Sequence, residues 1–358
     1  MTERSLANLC GMPMHDIRKL RHRLLSRFIF AVLVPILCVA AAAQERSRAG
    51  IIVNATTKDL KRIHDLGPEN FRVAVDRNPV HVTAVRSEGP RRAILVLDAS
   101  GSMILSESGW DIAKMAAQDF VTSVPKDCYL GLIIFGAGII HEVGFNEDRQ
   151  RIKEALNQVA HNIPDKKLTK RTTLYEVLQH ASDLLSPAEW GDMIYIITDG
   201  EDSDRKTKNK LLGDTLLPKQ IRLFPFILDD AMPAIYTHFD SINVQEVEKP
   251  DLLIELSRET GGSNFIMHPN DSRLRFPGSN SYRLNPGQMS AFYQALKNLY
   301  SLMFNYYRLD LNFSAVKKAS KISLDILDGS GQPTKDVKLF YTPRLYPVVP
   351  GVGAPQRP

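Results

Sequence analysis

The segment Ala93–Met103 reads Ala-Ile-Leu-Val-Leu-Asp-Ala-Ser-Gly-Ser-Met, an unbroken apolar run that ends in an aspartate and then presents hydroxyls at alternate positions. An apolar run with no polar alternation suits a strand buried on both faces, as in a parallel sheet covered by helices. A second run of the same design, Met193–Ser203, reads Met-Ile-Tyr-Ile-Ile-Thr-Asp-Gly-Glu-Asp-Ser and reaches its carboxylate at Asp199. In open parallel sheets, functional groups gather at the carboxyl ends of the strands. The same two features therefore constrain the fold and point to a site.

From Arg92 to Leu302 the patterns alternate between strand and helix. Trp110–Val124 has apolar residues at helical spacing (Ile112, Met115, Ala116, Phe120), and Leu130–Phe135 reads as an apolar strand. Ile140–Phe145 suits an antiparallel edge, followed by helices at Asp148–Val159 and from Thr172 to Leu185. A helix near Lys208–Leu217 and a buried strand at Ile221–Leu228 come after Asp199. The helix Asp251–Thr260 stops at Gly261-Gly262 before the short strand Asn264–Met267, and Ser290–Phe304 reads as a final helix. This order predicts an α/β class fold, a doubly wound and mostly parallel sheet with helices on both faces.

The flanks differ in character. Phe71, Val73 and Val75 alternate with polar residues, and Val80, Val82 and Val85 continue the β pattern to Gly89-Pro90. Tyr307, Leu309, Leu311 and Phe313 alternate again, as do Ile322, Leu324 and Ile326, and the Gly329–Gln332 turn before Val337, Leu339 and Tyr341 reads as a hairpin. Strands this few are not stable alone, so the N- and C-terminal segments are expected to form one small flanking β unit. The expected organisation is a signal peptide at 1–43, a β segment at 44–90, the α/β domain at 91–304, a β segment at 305–346 and a disordered Pro/Gly-rich tail at 347–358.

Arg18, Lys19, Arg21, Arg23 and Arg27 precede the apolar run Phe28–Ala43, and Ala41-Ala42-Ala43 before Gln44 fits a small-residue cleavage site. The run is shorter than the roughly 20 residues of a membrane span and contains Pro35. The pattern predicts an exported protein, periplasmic or at the cell surface, with no stable membrane span after cleavage; an uncleaved membrane anchor is the alternative. Six basic and two acidic residues lie in this segment, so +4 of the net +5 leaves with it. The remaining +1 gives no reason to expect nucleic acid as a partner. Cys10 and Cys38 leave as well, so Cys128 stands alone without an internal disulfide, and its apolar surroundings describe a buried structural thiol.

Asp98, Ser100 and Ser102 together offer one carboxylate and two neutral hydroxyls, the oxygen donors that a hard divalent cation takes. Gly101 suits a tight turn between them. The same residues also suit a plain polar turn in which Ser102 caps the next helix. Thr172, at a helix start, offers a third hydroxyl, and Asp199 a second carboxylate.

These five residues, in this order, resemble the metal-ion-dependent adhesion site of the von Willebrand factor type A domain, written Asp-x-Ser-x-Ser, then Thr, then Asp. The resemblance implies Asp98, Ser100, Ser102, Thr172 and Asp199 as ligands of Mg²⁺, or of Mn²⁺ or Ca²⁺. It also implies a protein partner that completes the coordination with an acidic side chain. Small residues often precede the threonine in that family; here Lys170 and Arg171 do, which changes the surface beside the metal. The layout, with Leu66-Gly67-Pro68-Glu69-Asn70-Phe71 ahead of the domain and a β-rich tail behind it, is similar to the secreted von Willebrand type A-related proteins of acidobacteria.

Other chemistries find less support. A haloacid dehalogenase-type phosphatase needs a second aspartate where Ser100 stands. No Gly-x-Ser-x-Gly elbow and no His-Glu-x-x-His helix occurs; His141-Glu142 lacks the second histidine. The reading is therefore a non-enzymatic binding and adhesion module, with a scaffold bearing a vestigial site as the alternative and a metal-dependent hydrolase behind it. Lys166, Lys167, Lys170 and Arg171 are either a solvated loop or a basic rim that steers acidic partners. Glu201, Asp202 and Asp204 are either a polar loop or an adjacent second cation site, and Lys170, Arg171 and Glu201 are the candidate partner contacts.

Overall fold

The computed structural model describes residues 50–105, 107–145, 148–161, 173–200, 209–228, 252–267, 284, 286–313 and 316–347. All of them fall in the compact unit Ala49–Pro358. The expected signal segment and terminal tail lie outside the described residues.

The chain opens with strands β1 (Gly50–Thr57), β2 (Phe71–Val75), β3 (Asn78–Val80) and β4 (Val82–Glu88). It continues through β5 (Arg92–Asp98), α1 (Gly101–Leu105), α2 (Glu107–Ser123), β6 (Tyr129–Phe135), β7 (Ile139–Val143), α3 (Arg149–His161) and α4 (Leu174–Leu184). Then come β8 (Met193–Thr198), α5 (Asn209–Lys219), β9 (Arg222–Leu228), α6 (Leu252–Glu259), β10 (Phe265–Met267) and α7 (Pro286–Phe304). Strands β11 (Tyr306–Leu311), β12 (Ser320–Ile326), β13 (Val337–Tyr341) and β14 (Arg344–Leu345) close the described chain.

Six strands form one sheet in the order β10-β9-β8-β5-β6-β7. Neighbours are parallel except at β7, the expected antiparallel edge. Strand β5 shows why its sequence does not alternate. Ala93, Leu95 and Leu97 join one core with residues of α2, α3 and α7, while Ile94 and Val96 join the opposite core with residues of α4, α5 and α6. Both faces are buried, so every position is apolar until the strand emerges at Asp98. The chain leaves β5 to build β6 and β7 on one side, then returns to build β8, β9 and β10 on the other. The switch point lies between the carboxyl ends of β5 and β8, where Asp98 and the Thr198-Asp199-Gly200 turn stand.

The flanking strands form a two-sheet β unit. One sheet has the order β13-β1-β11-β4 and the other β14-β12-β2-β3, with antiparallel neighbours. Ile51, Val53, Leu309 and Leu311 of the first share a core with Phe71, Val73, Ile322 and Leu324 of the second. Strands β2 and β12 alternate buried with exposed or half-buried residues as a one-sided sheet requires. Strand β1 departs from alternation because its other face is covered too, and the Asn54 amide donates to the carbonyls of Leu302 and Asn305.

Both sheets mix strands from the two ends of the chain, so neither end has a complete sheet of its own. The α/β segment is inserted between β4 and β11, which pair directly, Glu88 opposite Tyr306. The turn expected at Gly329–Gln332 is formed, with Leu327 bridged antiparallel to Pro333 and the Thr334 N–H donating to the Ile326 carbonyl, but the flanking strands do not pair with each other: β12 pairs with β2 and β14, and β13 pairs with β1. Alternating apolar residues fix which face of a strand is buried but not its neighbour, and the N-terminal strands supply the neighbours here.

Candidate functional site

Asp98 ends β5 fully buried. Its Oδ1 accepts the backbone N–H of Ser100 at 2.8 Å, and its Oδ2 accepts the hydroxyl of Thr198 at 2.7 Å. The Thr198 hydroxyl oxygen in turn accepts the Gly200 N–H at 3.0 Å, which fixes the turn that carries Asp199. Gly200 has φ 82°, the left-handed region that a side chain disfavours. Gly101, expected to shape the turn, instead opens α1 without a positive φ. The Ser100 hydroxyl is 3.1 Å from that of Ser102, and Ser100 is buried whereas Ser102 is exposed.

Burial pushes the Asp98 carboxyl up to about 7, and the Asp199 charge adds to the displacement. The hydrogen bonds from Thr198 and Ser100 oppose it. Asp98 and Asp199 thus act on each other electrostatically, with Ser100 and Ser102 beside Asp98. Thr172, Lys170, Arg171 and Glu201 lie outside the described residues. The neighbour Thr173 sits at the start of α4, with its N–H and hydroxyl both directed to the Gly136 carbonyl at 3.2 and 3.4 Å. That contact anchors the start of α4 to the end of β6.

Thr198 is the residue of the candidate site that motif spacing does not single out. Its signal is positional: Leu97 pairs with Ile197, so the next residues, Asp98 and Thr198, end adjacent strands side by side.

The chemistry of the donor set can be tested against a divalent cation. Among the described residues no group of three or more His, Cys, Asp and Glu side chains is placed to hold a metal. A site here therefore depends on hydroxyls. Two carboxylates with two serine hydroxyls are hard oxygen donors, suited to Mg²⁺, Mn²⁺ or Ca²⁺ and poorly suited to a thiolate-seeking metal. A cation at this place would also relieve the unfavourable charge of two neighbouring carboxylates, one of them fully buried. The residues present fit such an ion.

Residues 93–201 match the family model of the von Willebrand factor type A domain. The α/β part of this chain has that fold, with its mostly parallel six-stranded sheet. Solved structures similar to the chain include BatB from Bacteroides thetaiotaomicron, at 16% identity and TM-score 0.40, covering 59% of this chain and 98% of that one. A von Willebrand factor type A protein from Catenulispora acidiphila shares 10% identity at TM-score 0.42, covering 85% and 75%. Manganese-loaded TRAP protein of Plasmodium vivax shares 13% identity at TM-score 0.38, covering 76% and 99%. No curated protein matches the chain in sequence.

Proposed function

We propose that this chain is a non-enzymatic binding module that recognises a protein partner through a divalent cation held by Asp98, Ser100, Ser102, Thr172 and Asp199. One observation carries the reading: a fully buried aspartate at the switch point of the sheet is bonded by a hydroxyl and an amide and faces a second carboxylate. A buried charge is ordinarily paired with an opposite charge or with a metal. Among the described residues, the charge acting on Asp98 is that of Asp199 alone.

The bound cation would supply a Lewis acid for an incoming carboxylate. The protein's residues do the rest. Asp98 and Asp199 roughly neutralise a divalent charge, and the hydroxyls donate oxygen without adding to it, so an acidic side chain of the partner still finds net attraction. Thr198 and the Ser100 amide hold the Asp98 carboxylate in a fixed orientation. Lys170 and Arg171 would draw acidic partners toward the site. Export, as the leading segment suggests, would place the module in the periplasm or at the surface; among the described residues no helix is long and apolar enough to cross a membrane.

The test is capture of envelope proteins by the immobilised chain in Mg²⁺, in chelator, and with Asp98→Asn. A partner retained by wild type in Mg²⁺ and released in both other arms is expected. Equal retention in all three arms contradicts the reading.

A further inference from the structure

The end of the β unit where β2 turns into β3 and the chain enters β12 is strongly basic. Arg77, Lys317, Lys318, Lys321 and Arg344 are all exposed there. Strand register groups them: Lys321 lies directly opposite Arg344 of β14, and the Lys321 N–H donates to the Asp76 carboxylate at 2.8 Å. The Lys321 N–H and the Ser320 hydroxyl hold the Asp76 carboxyl below its ordinary value, and the Lys318 charge adds to them. Arg77 follows Asp76 in the turn. Five cations against one carboxylate exceed the +1 that the chain after residue 43 carries in all. Beyond Arg344 the surface turns acidic, where the charges of Glu259 and Asp214 reach the adjoining Tyr346, so the patch is bounded.

The fold does not use this charge. Like charges directly opposite each other destabilise a strand pair, as at Lys321 and Arg344. Arg77 stands in the two-residue turn between β2 and β3 at φ 69°, where glycine is the residue of least cost. What the patch meets is indicated by its neighbours. Gly50, which opens β1, lines the same shallow recess as Arg344. Residues 44–49 alone separate Gly50 from the apolar run Phe28–Ala43, at most about 20 Å of chain. A bilayer engaged by that run is therefore within reach of the patch. Nucleic acid is a poorer match, because the exposed aromatic residues among those described, Tyr129 and Tyr293, belong to the α/β part and none stands here to stack on bases.

We propose that this end of the β unit docks on an anionic lipid bilayer, with Arg77, Lys317, Lys318, Lys321 and Arg344 against the headgroup phosphates. The contact is electrostatic and needs no insertion of apolar side chains. Arg344 neighbours Gln220, ahead of the amino end of β9, whereas Asp98 stands at the carboxyl end of the same sheet. A strand of that length spans about 20 Å, more than a Debye length at physiological salt. Docking therefore leaves the candidate metal site open, and the proposal is independent of it.

The test uses the chain from Gln44 on, which holds the compact unit Ala49–Pro358 with its three cores. Chelator is present, so that no cation at Asp98 bridges protein to phosphate. Co-sedimentation is measured with vesicles of phosphatidylcholine alone and of equal parts phosphatidylcholine and phosphatidylglycerol. Each cation near an anionic bilayer strengthens association about fivefold. Wild type is expected to sediment with the anionic vesicles only and to be released by salt. The triple variant Lys317→Gln/Lys318→Gln/Lys321→Gln should bind about 100-fold more weakly. Lys126→Gln/Lys153→Gln/Lys297→Gln removes the same charge from exposed lysines of the α/β part and should bind as wild type does. Arg77→Gly, which suits the backbone of its turn, should fold at least as well and bind about fivefold more weakly. The proposal is overturned by failure to sediment with anionic vesicles, by equal sedimentation with both vesicle types, by patch variants that bind like wild type, or by equal losses in the two triple variants. Release from the vesicles by inorganic phosphate or poly-glutamate at matched ionic strength would assign the patch to a free phosphate or an acidic protein and overturn it too.

Discussion

Asp98 and Asp192 are both fully buried aspartates beside β5 and β8, one at the carboxyl end of those strands and one at the amino end. Burial displaces both carboxyls upward, to about 7 and about 6 respectively. What surrounds them differs. Asp192 has a guanidinium clamped on both oxygens, and the same Arg92 reaches the carbonyls of Leu185 and Pro187. Asp98 has a hydroxyl, an amide and a second carboxylate. The first arrangement is complete as protein and serves structure. In the proposed function a cation completes the second, and that contrast is what would separate a structural acid from a ligand.

The largest expected effect comes from breaking the structural end. Asp192→Ala or Arg92→Ala leaves a buried charge without its partner and should lower stability by about 3–5 kcal/mol. Denaturant unfolding of both single variants and the double variant checks it, with the double costing less than the sum. Asp98→Asn should do the opposite in metal-free protein. It removes a repelled carboxylate while keeping an acceptor for Ser100, so stability should hold or rise by on the order of 1 kcal/mol. A large loss in metal-free protein would make Asp98 a structural acid like Asp192 and erase the distinction.

Smaller effects sharpen it. Ser102 is exposed and its hydroxyl meets that of Ser100, so Ser102→Ala should change metal-free stability by no more than about 0.5 kcal/mol. Its effect should appear instead as weaker metal binding. The smallest response is expected at Cys128, which is buried and whose thiol burial pushes up to about 12. It should resist alkylation in the folded protein and react only on unfolding, as mass spectrometry of native and denatured samples would show. Rapid modification of the native chain would contradict that.

The sheet was legible because burial on both faces leaves an unbroken apolar run: Ala93–Leu97 and Met193–Ile197 could hardly be anything else. Helix ends moved by a few residues, as at α7, which begins at Pro286 and not Ser290. A proline is tolerated in the first turn, where its missing N–H is not needed. The pairing of the β unit was not legible, since strand alternation carries no record of which distant strand lies alongside. The grouping of the candidate site was legible where motif spacing is local, at Asp98, Ser100 and Ser102. Thr198 and the Arg92–Asp192 pair escaped because their partners lie 100 residues away and meet only through strand register.

The most direct measurement of the central claim is calorimetric titration of Mg²⁺, Mn²⁺ and Ca²⁺ into the wild-type chain and into Asp98→Asn, with both shown to be folded by circular dichroism. The account predicts single-site binding of at least one of these ions by wild type and its loss in the variant. Absence of binding by wild type, or binding by Asp98→Asn with unchanged affinity, would contradict it.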